Sequence, residues 1–129
     1  MRLLIIDDDP HIMRALMLLF QHAGYEVLTA HNGARGLEKL LGERPDVAII
    51  DVMMPDMTGM DMVRAWMHQK QTTDNIPFIV LSASCDDEIP EFTRNFDNMR
   101  FVPKPFSPRK ILHMVQAIAD AHPMDYSKA

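Results

Sequence analysis

The chain has 129 residues, 47% of them hydrophobic and 24% charged, with a formal net charge of −5. That is the size and balance of one globular domain, able to bury roughly two-thirds of its unfolded surface without disulfides or metal. One cysteine, Cys85, excludes an internal disulfide framework, and an acidic charge without a basic stripe argues against a general nucleic-acid footprint.

Arg2 to Ile6 reads as a short strand, followed at once by Asp7-Asp8-Asp9. This apolar run is too short for a signal peptide core or a membrane span, so we expect a cytoplasmic protein. Asp9 is placed to cap a helix that opens on Pro10. Ile12, Leu16, Leu19 and Ala23 recur at helical spacing, flanked by Met13, Met17 and Phe20. Gly24 should stop that helix. Tyr25 to Ala30 is a partly polar strand, as an outer strand would be. Asn32-Gly33 turns into a short helix over 34–41, with Leu37, Leu40 and Leu41 facing in and a loop from Gly42 to Pro45.

Asp46 to Ile50 is a central strand. Its continuous apolar run, Val47 to Ile50, predicts burial on both faces. Thr58 should cap the next helix, with Asp61 as capping-box partner and Met62, Val63, Trp66 and Met67 buried. A polar loop over 69–75 leads to an apolar strand from Ile76 to Leu81, ending on Ser82-Ala83-Ser84. Asp86-Asp87 are placed to start a further helix, which Pro90 would limit; started at Ile89 instead, it would hold Pro90 in its first turn, where it is tolerated. Met99 to Val102 is a brief strand. Ser107 and Pro108 then open a helix to about Ala121, and 122–129 form a polar tail. The twelve methionines read as adaptable core filler.

Strands and helices alternate, which implies a parallel sheet with helices on both faces. In such a sheet the carboxyl ends of the strands share one edge, where ligands bind. That edge would gather Asp7, Asp8, Asp51, Ser82 and Lys104. Three clustered carboxylates repel one another unless a cation joins them. An oxygen-rich site of this kind suits Mg²⁺, which keeps waters and takes carboxylates together with phosphate oxygens. Lys104 adds a point positive charge and Ser82 a hydroxyl donor. An anion beside Mg²⁺, lysine and serine reads as a phosphoryl group, and a carboxylate can itself be the nucleophile. Each residue also has a plainer role: Asp51 or Asp9 as a helix cap, Asp8 as a loop acid, Ser82 on local backbone, Lys104 in solvent. Their joint placement at four strand ends favours the site.

These residues carry a family likeness. Ile5-Ile6-Asp7-Asp8-Asp9-Pro10, the stretch from Pro45 to Gly59, Ile76 to Ala83, and Lys104-Pro105-Phe106 together resemble the receiver domain of bacterial two-component response regulators. The likeness spans residues 2 to about 121, so 1–121 is expected to be the receiver domain and 122–129 a tail or linker stub. It implies a flavodoxin-like (βα)5 three-layer sandwich, its five-stranded parallel sheet ordered 2-1-3-4-5. Asp51 would be the phosphoacceptor. Asp8, Asp51 and the backbone carbonyl of Met53 would hold Mg²⁺, with Asp7 acting mainly through water. Lys104 would neutralise phosphoryl oxygens. Ser82 and Phe101 would form the switch, and the Lys104-Pro105 peptide would be cis. The implied donor is a sensor histidine kinase or histidine phosphotransfer protein. The domain would be no enzyme beyond its own phosphorylation and dephosphorylation, a monomer or weak dimer, with an output partner unspecified and no contact with nucleic acid or membrane.

Three departures bear on the output. The turn before the last strand reads Asn95-Phe96-Asp97-Asn98, Pro90 sits near the expected helix start, and Phe101 lacks the hydroxyl of the tyrosine common in the family. Met53 and Ser84 occupy positions that tune phosphoryl lifetime there. Cys85 reads as a small packing residue, with a redox role as the alternative, and the six histidines show no metal-binding spacing. One rival function is a Mg²⁺-dependent phosphohydrolase using Asp51. Asp51-Val52-Met53 lacks the second acid, two residues on, that haloacid-dehalogenase-like phosphatases use. Another is a degenerate receiver that only binds partners, against which Asp8, Asp51, Ser82 and Lys104 speak. Nucleotide binding has no glycine-rich loop to support it.

Overall fold

The structure is a computed structural model that describes residues 1–69, 75–82, 99–104 and 106–121. Its elements are β1 (Arg2–Ile6), α1 (Pro10–His22), β2 (Glu26–Ala30), α2 (Gly33–Glu43), β3 (Val47–Asp51), α3 (Gly59–Gln69), β4 (Phe78–Ser82), β5 (Met99–Pro103) and α4 (Pro108–Ala121). All strand pairs are parallel, in the order β2-β1-β3-β4-β5. The expected sheet and its order are thus present. The register sets Ile6 beside Ile50 and Asp51 beside Leu81.

Each strand sends alternate side chains to opposite faces. Leu4, Ile6, Ala48, Ile50 and Val80 meet Leu40, Met62, Val63 and Trp66 of α2 and α3. Leu3, Ile5, Val47, Ile49 and Leu81 meet Met13, Leu16, Phe20, Ile111 and Val115 of α1 and α4. The result is three layers sharing one central sheet. β3 and β4 are buried along their whole length, while β2 is the half-exposed edge.

The caps follow the sequence. Asp9 Oδ1 accepts from the N–H groups of His11 (2.9 Å) and Ile12 (3.4 Å). Gly24, at φ 97°, ends α1 in a Schellman turn. Its N–H donates to Gln21 O at 3.0 Å, and the N–H of Tyr25 donates to Phe20 O at 3.0 Å. The accompanying apolar contact is the edge-to-face pair of Phe20 and Tyr25, with centroids 5.3 Å apart. Thr58 Oγ1 accepts from Asp61 N–H at 3.0 Å, while the Asp61 carboxylate lies 3.4 Å from Arg64 Nη1.

Four details differ from expectation. The buried stripe of α1 is Met13, Leu16 and Phe20; Ile12 and Leu19 flank it, and Ala23 is exposed. Met67 is exposed, and Gly59 and Met60 join the buried face of α3 instead. Helix α2 runs through Gly42 to Glu43 and ends on Arg44 at φ 49°. The two buried strands are each shifted toward the site: β3 begins at Val47 and takes in Asp51, and β4 begins at Phe78 and takes in Ser82. The helix expected from about Ile89, Ser84, Cys85, the Lys104-Pro105 peptide and the tail after Ala121 lie outside the described residues.

Candidate functional site: an acidic pocket at the carboxyl edge of the sheet

Asp51 is the last residue of β3, 3% exposed after four buried apolar residues. Asp7 follows β1 directly, and its N–H donates to Ala30 O at 3.1 Å, extending the pairing with β2. Lys104 follows β5, its N–H donating to Ser82 O at 2.7 Å. Adjacent strands thus deliver the polar side chains to one edge. Carboxylate oxygens of Asp7, Asp8 and Asp51 all lie within 4.8 Å of one another. Lys104 Nζ stands 3.3 Å from Asp51 Oδ1, which also accepts from the N–H of Met53 at 3.3 Å.

The three carboxylates are held differently. Asp8 is exposed. Asp7 is 1% exposed; its Oδ1 accepts from Asp9 N–H at 2.9 Å, and its Oδ2 is buried without a hydrogen-bond partner among the described residues. Burial raises the Asp7 carboxyl from its ordinary 3.8 to about 6, with Asp51 and Asp8 adding to the rise and the Asp9 N–H and Lys104 opposing it. A buried carboxylate oxygen with no partner is costly, and one lysine does not balance three acids. The donors facing the cavity are hard oxygens, so the pocket fits a hard divalent cation.

Ser82 is fully buried at the end of β4. Phe101 is half-buried in β5, beside Val80 and against the cluster facing α2 and α3. By strand alternation Phe101 shares its sheet face with Ser82. Met53 is 63% exposed next to Asp51. A groove of about 520 Å³ opens beside Lys104, lined by Ile12, Ala15, Leu16, Phe106 and Pro108. Two residues at the site lay within the stretch that carries the family likeness but were given no role by the sequence. Gly59 lies so close to β3 that a Cβ there would stand 2.7 Å from Asp51 O. Asp56 binds the first turn of α2, across 22–23 residues of chain. Gly59 is legible in hindsight as the glycine after a turn; Asp56 has no local signal.

A doubly wound sheet with acids, lysine and a buried serine at its carboxyl edge defines a class of α/β domain. Residues 3–116 match the response regulator receiver domain family. The chain belongs to that family, the receiver domains of two-component systems. It is 32% identical to the response regulator MprA of Mycobacterium avium over 120 residues, which is 92% of this chain and 50% of that protein. The chain therefore spans about half the length of the curated relatives it matches. A CheY-like receiver domain from Methanospirillum hungatei superimposes with a TM-score of 0.84 at 26% identity, covering 96% of this chain and 97% of that one. TrrA of Thermotoga maritima, solved in complex with Mg(2+)-BeF, superimposes with a TM-score of 0.75 at 27% identity, covering 90% and 96%. Among the described residues no helix is long and apolar enough to cross a membrane.

Proposed function

We propose that this domain is a phosphoacceptor switch in which Asp51 takes a phosphoryl group from a histidine kinase or histidine phosphotransfer protein. The observation that carries the reading is Asp51 itself, set at a strand end 3.3 Å from Lys104 and among two further carboxylates. Asp8, Asp51 and the Met53 carbonyl would hold Mg²⁺, with Asp7 orienting its waters, and TrrA shows that a relative takes such a group. Bound there, Mg²⁺ supplies charge neutralisation for phosphoryl oxygens.

The chain's own residues do the rest by position. An Asp51 carboxylate oxygen attacks phosphorus in line, and the O–P bond forms as the N–P bond of phosphohistidine breaks. The bonding pair leaves on the imidazole nitrogen, which takes up a proton. Lys104 follows charge from the Asp51 carboxylate onto the phosphoryl oxygens. Ser82 offers its hydroxyl to one of those oxygens, and Phe101 turns inward on the face that Ser82 vacates. The readout is a local electrostatic change relayed by packing. The groove beside Lys104 offers apolar surface to a donor that must bring its phosphohistidine to Asp51.

The test is incubation with Mg²⁺ and acetyl phosphate, followed by intact mass. Wild type should take up one phosphoryl group and Asp51→Asn none. Rapid turnover of phosphoesters would point to a hydrolase instead, and absence of uptake to a domain that only binds partners.

A further inference from the structure

Asp56 has no part in the transfer just described, yet as the one carboxylate of the loop between β3 and α3 it is fully engaged. Its side chain is exposed, but both oxygens are taken: Oδ1 accepts from Gly33 N–H and Oδ2 from Ala34 N–H, each at 2.9 Å. Those groups open α2. The next, Arg35 N–H, donates to the Asn32 cap at 2.8 Å. Unpaired N–H groups and the helix dipole favour an anion at this end. The two bonds hold the Asp56 carboxyl below the ordinary carboxylate range.

A second contact binds the same two segments. Met57 lies over Gly33 so closely that a Cβ at position 33 would overlap its side chain. The loop is thus fastened at both ends. Near β3, Val52 N–H donates to Leu81 O at 2.9 Å and Gly59 N–H to Val52 O at 2.8 Å. Away from β3, Asp56 and Met57 tie it to α2. Met53 stands between these fastenings with its N–H on Asp51 Oδ1 at 3.3 Å and its side chain mostly in solvent, so side-chain packing does little to aim its carbonyl.

We propose that Asp56 is a positioning residue for cation binding: by clamping the β3–α3 loop to the first turn of α2, it fixes the Met53 carbonyl as a ligand. The inference rests on the Mg²⁺ site proposed above. It makes α2 a part of the site, although no α2 side chain enters the pocket's chemistry.

The experiment measures phosphoryl uptake from acetyl phosphate as a function of Mg²⁺ in the full chain. Wild type is compared with Asp56→Asn, Ala34→Pro and the double variant, with circular dichroism confirming the fold. Proline is tolerated in a first helical turn and removes one donor from the α2 side. Asp56→Asn should raise the half-saturating Mg²⁺ roughly tenfold, the low end for residues that orient ligands, with a nearly unchanged rate at saturation. Ala34→Pro should shift it the same way, and the double variant should be little worse than Asp56→Asn, because the shared bond is already lost. Unchanged half-saturation with a lowered melting temperature would reduce Asp56 to a helix cap and overturn the proposal. So would a shift in Asp56→Asn that Ala34→Pro lacks, since the charge rather than the clamp would then be acting. Wild type without Mg²⁺-dependent uptake overturns this proposal and the function it rests on together.

Discussion

Asp7 keeps Oδ2 buried without a partner among the described residues, and its carboxyl is raised from 3.8 to about 6 chiefly by burial. A carboxyl raised on folding favours its protonated form in the native state. Its stabilising effect is full below pH 3.8 and is lost as pH rises through about 6. Asp7→Asn should therefore stabilise the metal-free protein at pH 8 by on the order of 1–3 kcal/mol, the net rise already including the opposing charge of Lys104. The gain should vanish toward pH 4, and urea denaturation at both pH values in EDTA checks it. In the proposed site Mg²⁺ would need the carboxylate, so its affinity should fall about tenfold per pH unit below about 6. Calorimetric titration between pH 5 and 8 would reveal a flat profile if Asp7 does not face the cation. Single residues were legible unevenly. Asp7, Asp51 and Lys104 announce themselves because each ends a strand-like run, and strand ends of a parallel sheet converge. Asp56 was not legible, because its partners lie 22–23 residues back and nothing local in its loop points to them.

Two glycines shape the elements for different physical reasons, and the same substitution separates them. Gly24 ends α1 at φ 97° with open space around a would-be Cβ. Gly24→Ala should cost about 1 kcal/mol from backbone conformation alone, and Gly24→Asn less. Gly59 has no such φ, but its Cβ would meet Asp51 O at 2.7 Å and Ile50 Cγ2 at 2.8 Å. Backbone and a buried side chain cannot yield cheaply, so Gly59→Ala should cost about 1–3 kcal/mol. It should also slow acetyl phosphate uptake, because the displaced atom belongs to Asp51. Denaturant midpoints and uptake rates together distinguish the two sites: Gly24→Ala changes stability only. The strands were readable because buried parallel strands are unbroken apolar runs. Helix faces were readable only to within a residue. In α3, Gly59, Met60, Met62, Val63 and Trp66 make the buried face, and Met67 falls just outside it although it is as apolar as the other methionines. Gly42 looked like a stop, yet an exposed glycine in a helix costs only about 1 kcal/mol, and α2 passes through it to end at Arg44.

Each strand feeds both apolar clusters by alternation, so neither cluster can persist when the sheet is lost. The two ends of the sheet hold their acids differently. Where the strands begin, Arg2 joins Glu26 at 3.1 Å and Glu43 at 2.5 Å, and its N–H binds Asp46 at 2.8 Å, tying β1, β2 and α2 to the start of β3. Where they end, three acids face one lysine. A cation held at that edge as proposed would bridge the acids that follow β1 and the one that ends β3, two neighbouring strands, and so would act on the sheet rather than on a loop. At a hundredfold excess over its dissociation constant it would add about 2.7 kcal/mol. For a domain of this size that should raise the melting temperature by about 10 °C. Trp66, the single tryptophan, is buried edge-on to Phe78 of β4 at 5.2 Å, so its fluorescence reports the α2–α3 side of the sheet. Far-UV circular dichroism reports all helices. Heating at pH 7.5 with EDTA or with saturating Mg²⁺ should give coincident transitions by both probes, displaced together by the metal, and no displacement in Asp8→Ala with Asp51→Asn. A metal effect on one probe alone would mean that the pocket is coupled to one layer and not to the sheet that carries it.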